Sequence, residues 1–151
     1  MGRFLRSTLS LALVFATQAS CSSDDVTTPT TAAIVTFAFD GHPTDTMRVL
    51  VSRADAIVAA ESYVDTHRGP KLLAGTIVRG SGVDPRYPFQ FVPESVQIIS
   101  AAIELCDATP MRTDAAVNDF FAASLGNRNA PAATWCPWSS YPILVQRLLP
   151  D

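Results

Sequence analysis

Residues 88–107 read P-F-Q-F-V-P-E-S-V-Q-I-I-S-A-A-I-E-L-C-D, and the rest of the chain is best understood as packing around them. Phe89 and Phe91 alternate with Gln90, and Val96 with Ile98, then Ile103 with Leu105, repeat that spacing. Apolar residues at period two, rich in aromatic and β-branched types, mark strands that bury one face. Pro93-Glu94-Ser95 breaks the pattern. Proline has no N–H to give to a ladder, so a turn is expected there. The stretch therefore predicts a hairpin, residues 88–92 with 95–100, running into a third extended piece at 102–106.

Working outward, residues 34–39 (I-V-T-F-A-F) alternate in the same way, with Val35, Phe37 and Phe39 on one face. Asp40-Gly41-His42-Pro43-Thr44 is turn chemistry, and residues 46–51 form the return strand. Ser52-Arg53-Ala54-Asp55 resembles a capping box with Asp in the place of Glu. It predicts a helix over 53–66, with Ile57, Ala60 and Val64 facing inward and Asp55, Glu61 and Asp65 outward. Gly69-Pro70 stops it. Residues 73–79 read as another strand. Thr109 with Pro110 behind it predicts the cap and first position of a second helix, carried by residues 111–122 and packed through Val117, Phe120 and Phe121. Residues 143–149 are apolar, and their pattern leaves helix and strand open. The expected architecture is α+β: a small antiparallel sheet packed against one main helix, with a second helix and a Trp-Cys-Pro-Trp segment near the C-terminus.

The N-terminus carries an address. Arg3 and Arg6 precede an apolar run at 9–16, and no acidic residue occurs before Asp24. The run has the length of a secretory signal and is too short for a stable membrane span. Thr17-Gln18-Ala19-Ser20-Cys21 resembles the lipobox of bacterial lipoproteins, which makes Cys21 the expected lipidation site. Gln18 stands where that pattern has an apolar residue, so ordinary cleavage after Ala19 remains the alternative. Residues 21–32 are rich in Ser, Thr, Asp and Pro and read as a flexible tether. The division is a signal peptide at 1–20, a tether at 21–32 and one domain at 33–151. Loss of Arg3 and Arg6 with the signal leaves nine basic against fourteen acidic side chains, a net charge of −5. Nucleic acid demands a basic surface, so it is not an expected partner. Membrane contact is expected only through the lipid.

Several blocks then carry a resemblance. Gly75-Thr76-Ile77-Val78, Phe89-x-Phe91-x-Pro93-Glu94-Ser95-Val96, residues 103–108 with Cys106-Asp107, and Trp135-Cys136-Pro137-Trp138-Ser139-Ser140 occur in this order in one small-domain family. The chain from about Phe37 onward resembles the N-terminal domain of a slime-mould calmodulin-binding protein (the BP-seventy-four type). The resemblance implies a small secreted domain and carries over no catalytic residue. Calmodulin itself is not expected, because its targets are basic amphipathic helices. Residues 53–66 hold one base and three acids, and 111–122 one base and two acids.

Chemistry can be weighed residue by residue. With Cys21 lipidated, Cys106 and Cys136 are an even pair in an oxidising compartment and predict a disulfide. A reactive Cys106 thiol served by His67 is the sharper alternative. Glu104 and Asp107 could act as an acid/base pair, although Asp107 reads more simply as a turn residue. His42 and His67 lack metal-ligand spacing, Asp40 and Asp45 lack a calcium loop, and no cofactor is expected. Trp135, Pro137 and Trp138, with Asp107 nearby, are the candidate interaction surface for a sugar, peptide or protein, or else core packing over the disulfide. The expected function is a non-enzymatic, exported envelope binding module. A small extracellular enzyme using a thiol or carboxylate, or a purely structural envelope protein, stands as the alternative.

Overall fold

A computed structural model describes residues 31–102, 106–107 and 109–149. Residues 1–30, where the signal peptide and most of the tether are expected, and residues 103–105 of the expected third extended piece, Glu104 included, lie outside them. Ala32, counted above with the tether, opens the first strand.

Strand β1 (Ala32–Phe39) folds back on β2 (His42–Val51) through Asp40-Gly41, pairing Val35 with Val49 and Phe37 with Met47. Gly41 has φ +80°, a conformation glycine adopts without steric cost. The last apolar segment is a strand, β7 (Ser140–Leu148), antiparallel to β1 on its other edge. Its β-branched Ile143 and Val145 suit the pleat. The first sheet therefore has the order β2-β1-β7.

A second sheet is built on β3 (Leu72–Arg79), so the single sheet expected from the sequence is in fact two. One edge of β3 pairs with β6 (Ala132–Trp135), Gly75 opposite Trp135 and Ile77 opposite Ala133. The other edge carries β4 (Phe89–Phe91) and β5 (Gln97–Ile99). Here the hairpin expectation fails. The two short strands run end to end along β3, Phe91 opposite Ile77 and Ile98 opposite Leu73, rather than beside each other. Pro93–Ser95 forms one turn of 3₁₀-helix that lifts the chain off the ladder without reversing it. Ser95 fills the break: its hydroxyl accepts from the Thr76 N–H at 2.9 Å and donates to the Val92 carbonyl at 2.7 Å. A side chain thus satisfies the backbone donor that the lifted strand leaves behind.

The inward faces of both sheets share one core. Val35, Phe37, Phe39, Met47, Val49 and Val51 meet Leu73, Ile77, Phe89, Phe91 and Trp135. Trp135 is fully buried, stacked on Phe91 with centroids 5.7 Å apart and edge-on to Phe89 at 5.1 Å. Gly75 makes the room: a Cβ there would stand 2.9 Å from Phe91 Cδ1. That is the physical content of the Gly75-Thr76-Ile77-Val78 block.

Helix α1 (Ala54–Thr66) packs against β7, β1 and β5, burying Ala56, Ile57 and Ala60. Val64 is only half-buried. No capping box forms. Arg53 is the N-cap residue, with no side-chain cap, and its guanidinium holds the Asp55 carboxylate instead. Helix α2 (Asp114–Leu125) buries Val117, Phe120 and Phe121 as expected but starts later. Its cap is Thr113, whose hydroxyl accepts from the Ala116 N–H at 3.2 Å, so Thr109 and Pro110 precede the helix. Among the described residues no helix is long and apolar enough to cross a membrane.

Candidate functional site

The chain leaves the second sheet at Trp135 and enters the first at Ser140, so residues 136–139 cross from one to the other. The crossing is a tight turn. The Ser140 N–H and hydroxyl both donate to the Pro137 carbonyl, at 3.1 and 2.6 Å. The buried Ser140 hydroxyl also accepts from the Leu73 N–H at 2.9 Å. At the start of the turn Cys136 is bonded to Cys106, with Cα atoms 5.2 Å apart, and the Cys136 N–H donates to the Cys106 carbonyl. The pairing expected from cysteine count is the one observed. Cys106 carries no free thiol, and His67 lines a different cleft, so the thiol–histidine alternative loses its nucleophile.

This turn displays the candidate surface and divides it. Trp135 and Pro137 face inward, and Trp135 is 0 % exposed, because it supplies the aromatic centre of the core. They are therefore not surface residues. Trp138, at the turn's tip, is 40 % exposed. Asp107, next to the disulfide, accepts the Trp138 N–H on Oδ1 at 2.9 Å. Asp40 reaches the same place from the β1–β2 turn, its N–H donating to the Ser139 carbonyl at 2.7 Å. Trp138, Asp107, Asp40 and His42, with Thr109 and Ser139, line a cleft of about 400 Å³.

Long-range pairing accounts for what the sequence missed. Asp40 and His42 read as ordinary turn residues, and only the antiparallel union of β1 with β7 brings their turn beside Trp138. Asp45 goes elsewhere, to Arg112 at 2.6 Å, and Asp40 pairs with Lys71 at 3.4 Å, so the two do not share a cation. Among the described residues no group of three His, Cys, Asp or Glu side chains is placed to hold a metal ion. A larger hollow of about 580 Å³ opens beside the disulfide, walled by Ala74, Thr76, Ser95, Gln97 and Thr134. None of its described walls carries a charge. The Trp138 cleft combines an exposed indole with the ionisable Asp40, His42 and Asp107.

A family model described as the BP-seventy-four N-terminal domain matches residues 33–147. The chain belongs to the BP-seventy-four N-terminal domain family. Within this domain, the four sequence blocks fall on β3, on the β4–β5 pass, at the first disulfide cysteine and on the turn bearing Trp138. No curated protein matches the chain. No solved structure matches it either.

Proposed function

We propose that this BP-seventy-four N-terminal domain is an exported, non-enzymatic binding module, held at the bacterial cell envelope by a lipid on Cys21, and that the Trp138 cleft is its recognition surface. One observation carries the reading. Trp138 is held half in water on a turn fixed by the buried Ser140 and anchored by a disulfide, in a cleft that the Asp40 and Asp107 carboxylates also line. A large aromatic presented on a rigid support is what recognition surfaces use, since its area is offered at little entropic cost. Export and the tether rest on residues 1–32, whose charge, apolar run and polar spacer suit an anchored domain. The acidic mature chain favours neither nucleic acid nor calmodulin as partner.

Cosedimentation of the mature chain carrying Cys21→Ser, which cannot be acylated, with insoluble envelope material from its host tests the recognition surface. This chain should pellet with the material and its Trp138→Ala variant should stay in solution, with unchanged circular dichroism. Equal pelleting of the two, or no pelleting of the parent chain, refutes it. A carboxylate enzyme is the second reading, favoured because Asp40, Asp107 and His42 line one cleft. Asp107→Asn separates the two. An enzyme would lose turnover of bound material, whereas a module releases nothing from that material in either form.

A further inference from the structure

The Trp138 cleft has a neighbour. Tyr63 and His67 at the end of α1, with Tyr141, Pro142 and Ile143 at the start of β7, frame a second cleft of about 310 Å³. The His67 and Tyr63 rings stack with centroids 6.0 Å apart. His67 is fixed there as the left-handed cap of the helix, its N–H donating to the Tyr63 carbonyl at 2.7 Å. Lys71 joins the two clefts. Its ammonium lies 3.4 Å from Asp40 Oδ2, in the wall of the first, and 5.8 Å from the centre of the Tyr141 ring, in the wall of the second. Trp138 and Tyr141 are three residues apart across the turn, so their Cα atoms cannot be more than about 11 Å apart.

Resting on the reading of the Trp138 cleft as a recognition surface, we propose that the two clefts are adjoining subsites for one neutral polysaccharide chain. The chemistry of the walls selects that class. A sugar ring presents a C–H face, which packs on an aromatic ring, and a rim of hydroxyls that both donate and accept. Trp138 and Tyr141 supply rings one short turn apart. Asp107 and Asp40 accept hydroxyl protons, while Lys71 donates from its place between Asp40 and the Tyr141 ring. Two carboxylates in the first cleft repel an anionic polymer, and the net charge of the mature chain acts in the same direction. An aromatic subsite on either side of a polar ridge suits successive units of a chain better than one small molecule.

Isothermal titration of the mature protein with neutral oligosaccharides, the cello-, xylo-, laminari- and malto- series from di- to hexasaccharide, tests the proposal. In one series affinity should rise with length until both clefts are spanned. Trp138→Ala and Tyr141→Ala should each weaken binding of the longer members by roughly tenfold or more, as loss of a buried aromatic anchor does. Tyr63→Ala provides a second variant in that cleft should Tyr141→Ala fail to fold. Affinity independent of length, or unchanged in the Tyr141 and Tyr63 variants, overturns the two-subsite claim. The proposal also falls if the wild type binds no oligosaccharide and its Trp138-dependent pelleting with envelope material survives periodate but not protease. The ligand would then be a protein, and the reading of the Trp138 cleft would stand. Loss of Trp138 dependence in the pelleting assay would refute that reading itself.

Discussion

Asp84 is charged and yet only 4 % exposed, and it shows how much of this fold is decided by single side chains. Its carboxylate accepts from the Arg48 N–H at 3.0 Å, from the Arg86 N–H at 3.2 Å and from the Arg86 guanidinium at 2.8 and 2.6 Å. It thereby ties the loop before β4 to the outer edge of β2. Burial by itself pushes the carboxyl upward. The Arg86 side chain and the two backbone donors outweigh that and hold it below the ordinary carboxylate range. A lowered pKa in the folded state gives stability that is fully present above the unfolded value, near pH 4, and is lost as pH falls through the folded value. Asp84→Asn should therefore lower stability at neutral pH by about 1–3 kcal/mol, because charged donors lose their acceptor. It should also flatten the acid limb of a stability-versus-pH curve from urea melts. An unchanged acid limb would show that Asp84 is not the group responsible. None of this was legible in Asp84-Pro85-Arg86-Tyr87, which has the composition of any loop. The Arg48 partner lies 36 residues away.

At the scale of elements, period-two spacing identified the faces of β1 and β4 correctly, since alternation depends only on which side of a strand is buried. Pairing was less legible. Pro93 marks a break equally well in a hairpin turn and in a lifted strand. The choice between them rests on Ser95, which can complete the ladder to Thr76 only if the chain continues along β3. Helix starts failed for a related reason. Thr109 and Thr113 are both competent caps, and Pro110 favoured the first, but Asp114 starting the helix places Val117, Phe120 and Phe121 against the core. Thr113→Ala should cost about 1 kcal/mol in chemical denaturation, the usual worth of a hydroxyl cap. Thr109→Ala, at an exposed position outside the helix, should stay within about 0.5 kcal/mol of the wild type. Reversal of the two effects would move the helix start back to Thr109. The candidate site was half legible: Trp138 and Asp107 stood out by type, whereas Asp40, His42 and Lys71 join them only through tertiary pairing.

For the whole molecule, the proposal of an oxidising, extracytoplasmic setting draws on several parts of the chain. A signal-like N-terminus, a polar tether and an acidic domain with one disulfide are consistent with each other. The bond closes a separation of 30 residues and ties the chain beside Asp107 to the turn that carries Trp138. On the chain-entropy model it contributes roughly 3–4 kcal/mol, a large share of a small domain's net stability. Cys106→Ser with Cys136→Ser should therefore lower the denaturation midpoint and weaken binding at the Trp138 cleft together. The intact mass of the mature protein from its native host, before and after reduction and alkylation, tests the tethered, stapled module most directly. The account predicts an acylated N-terminal Cys21, with Cys106 and Cys136 alkylated only after reduction. A chain that begins at Ser20 or keeps residues 1–20, or one whose Cys106 and Cys136 react without reduction, would contradict it.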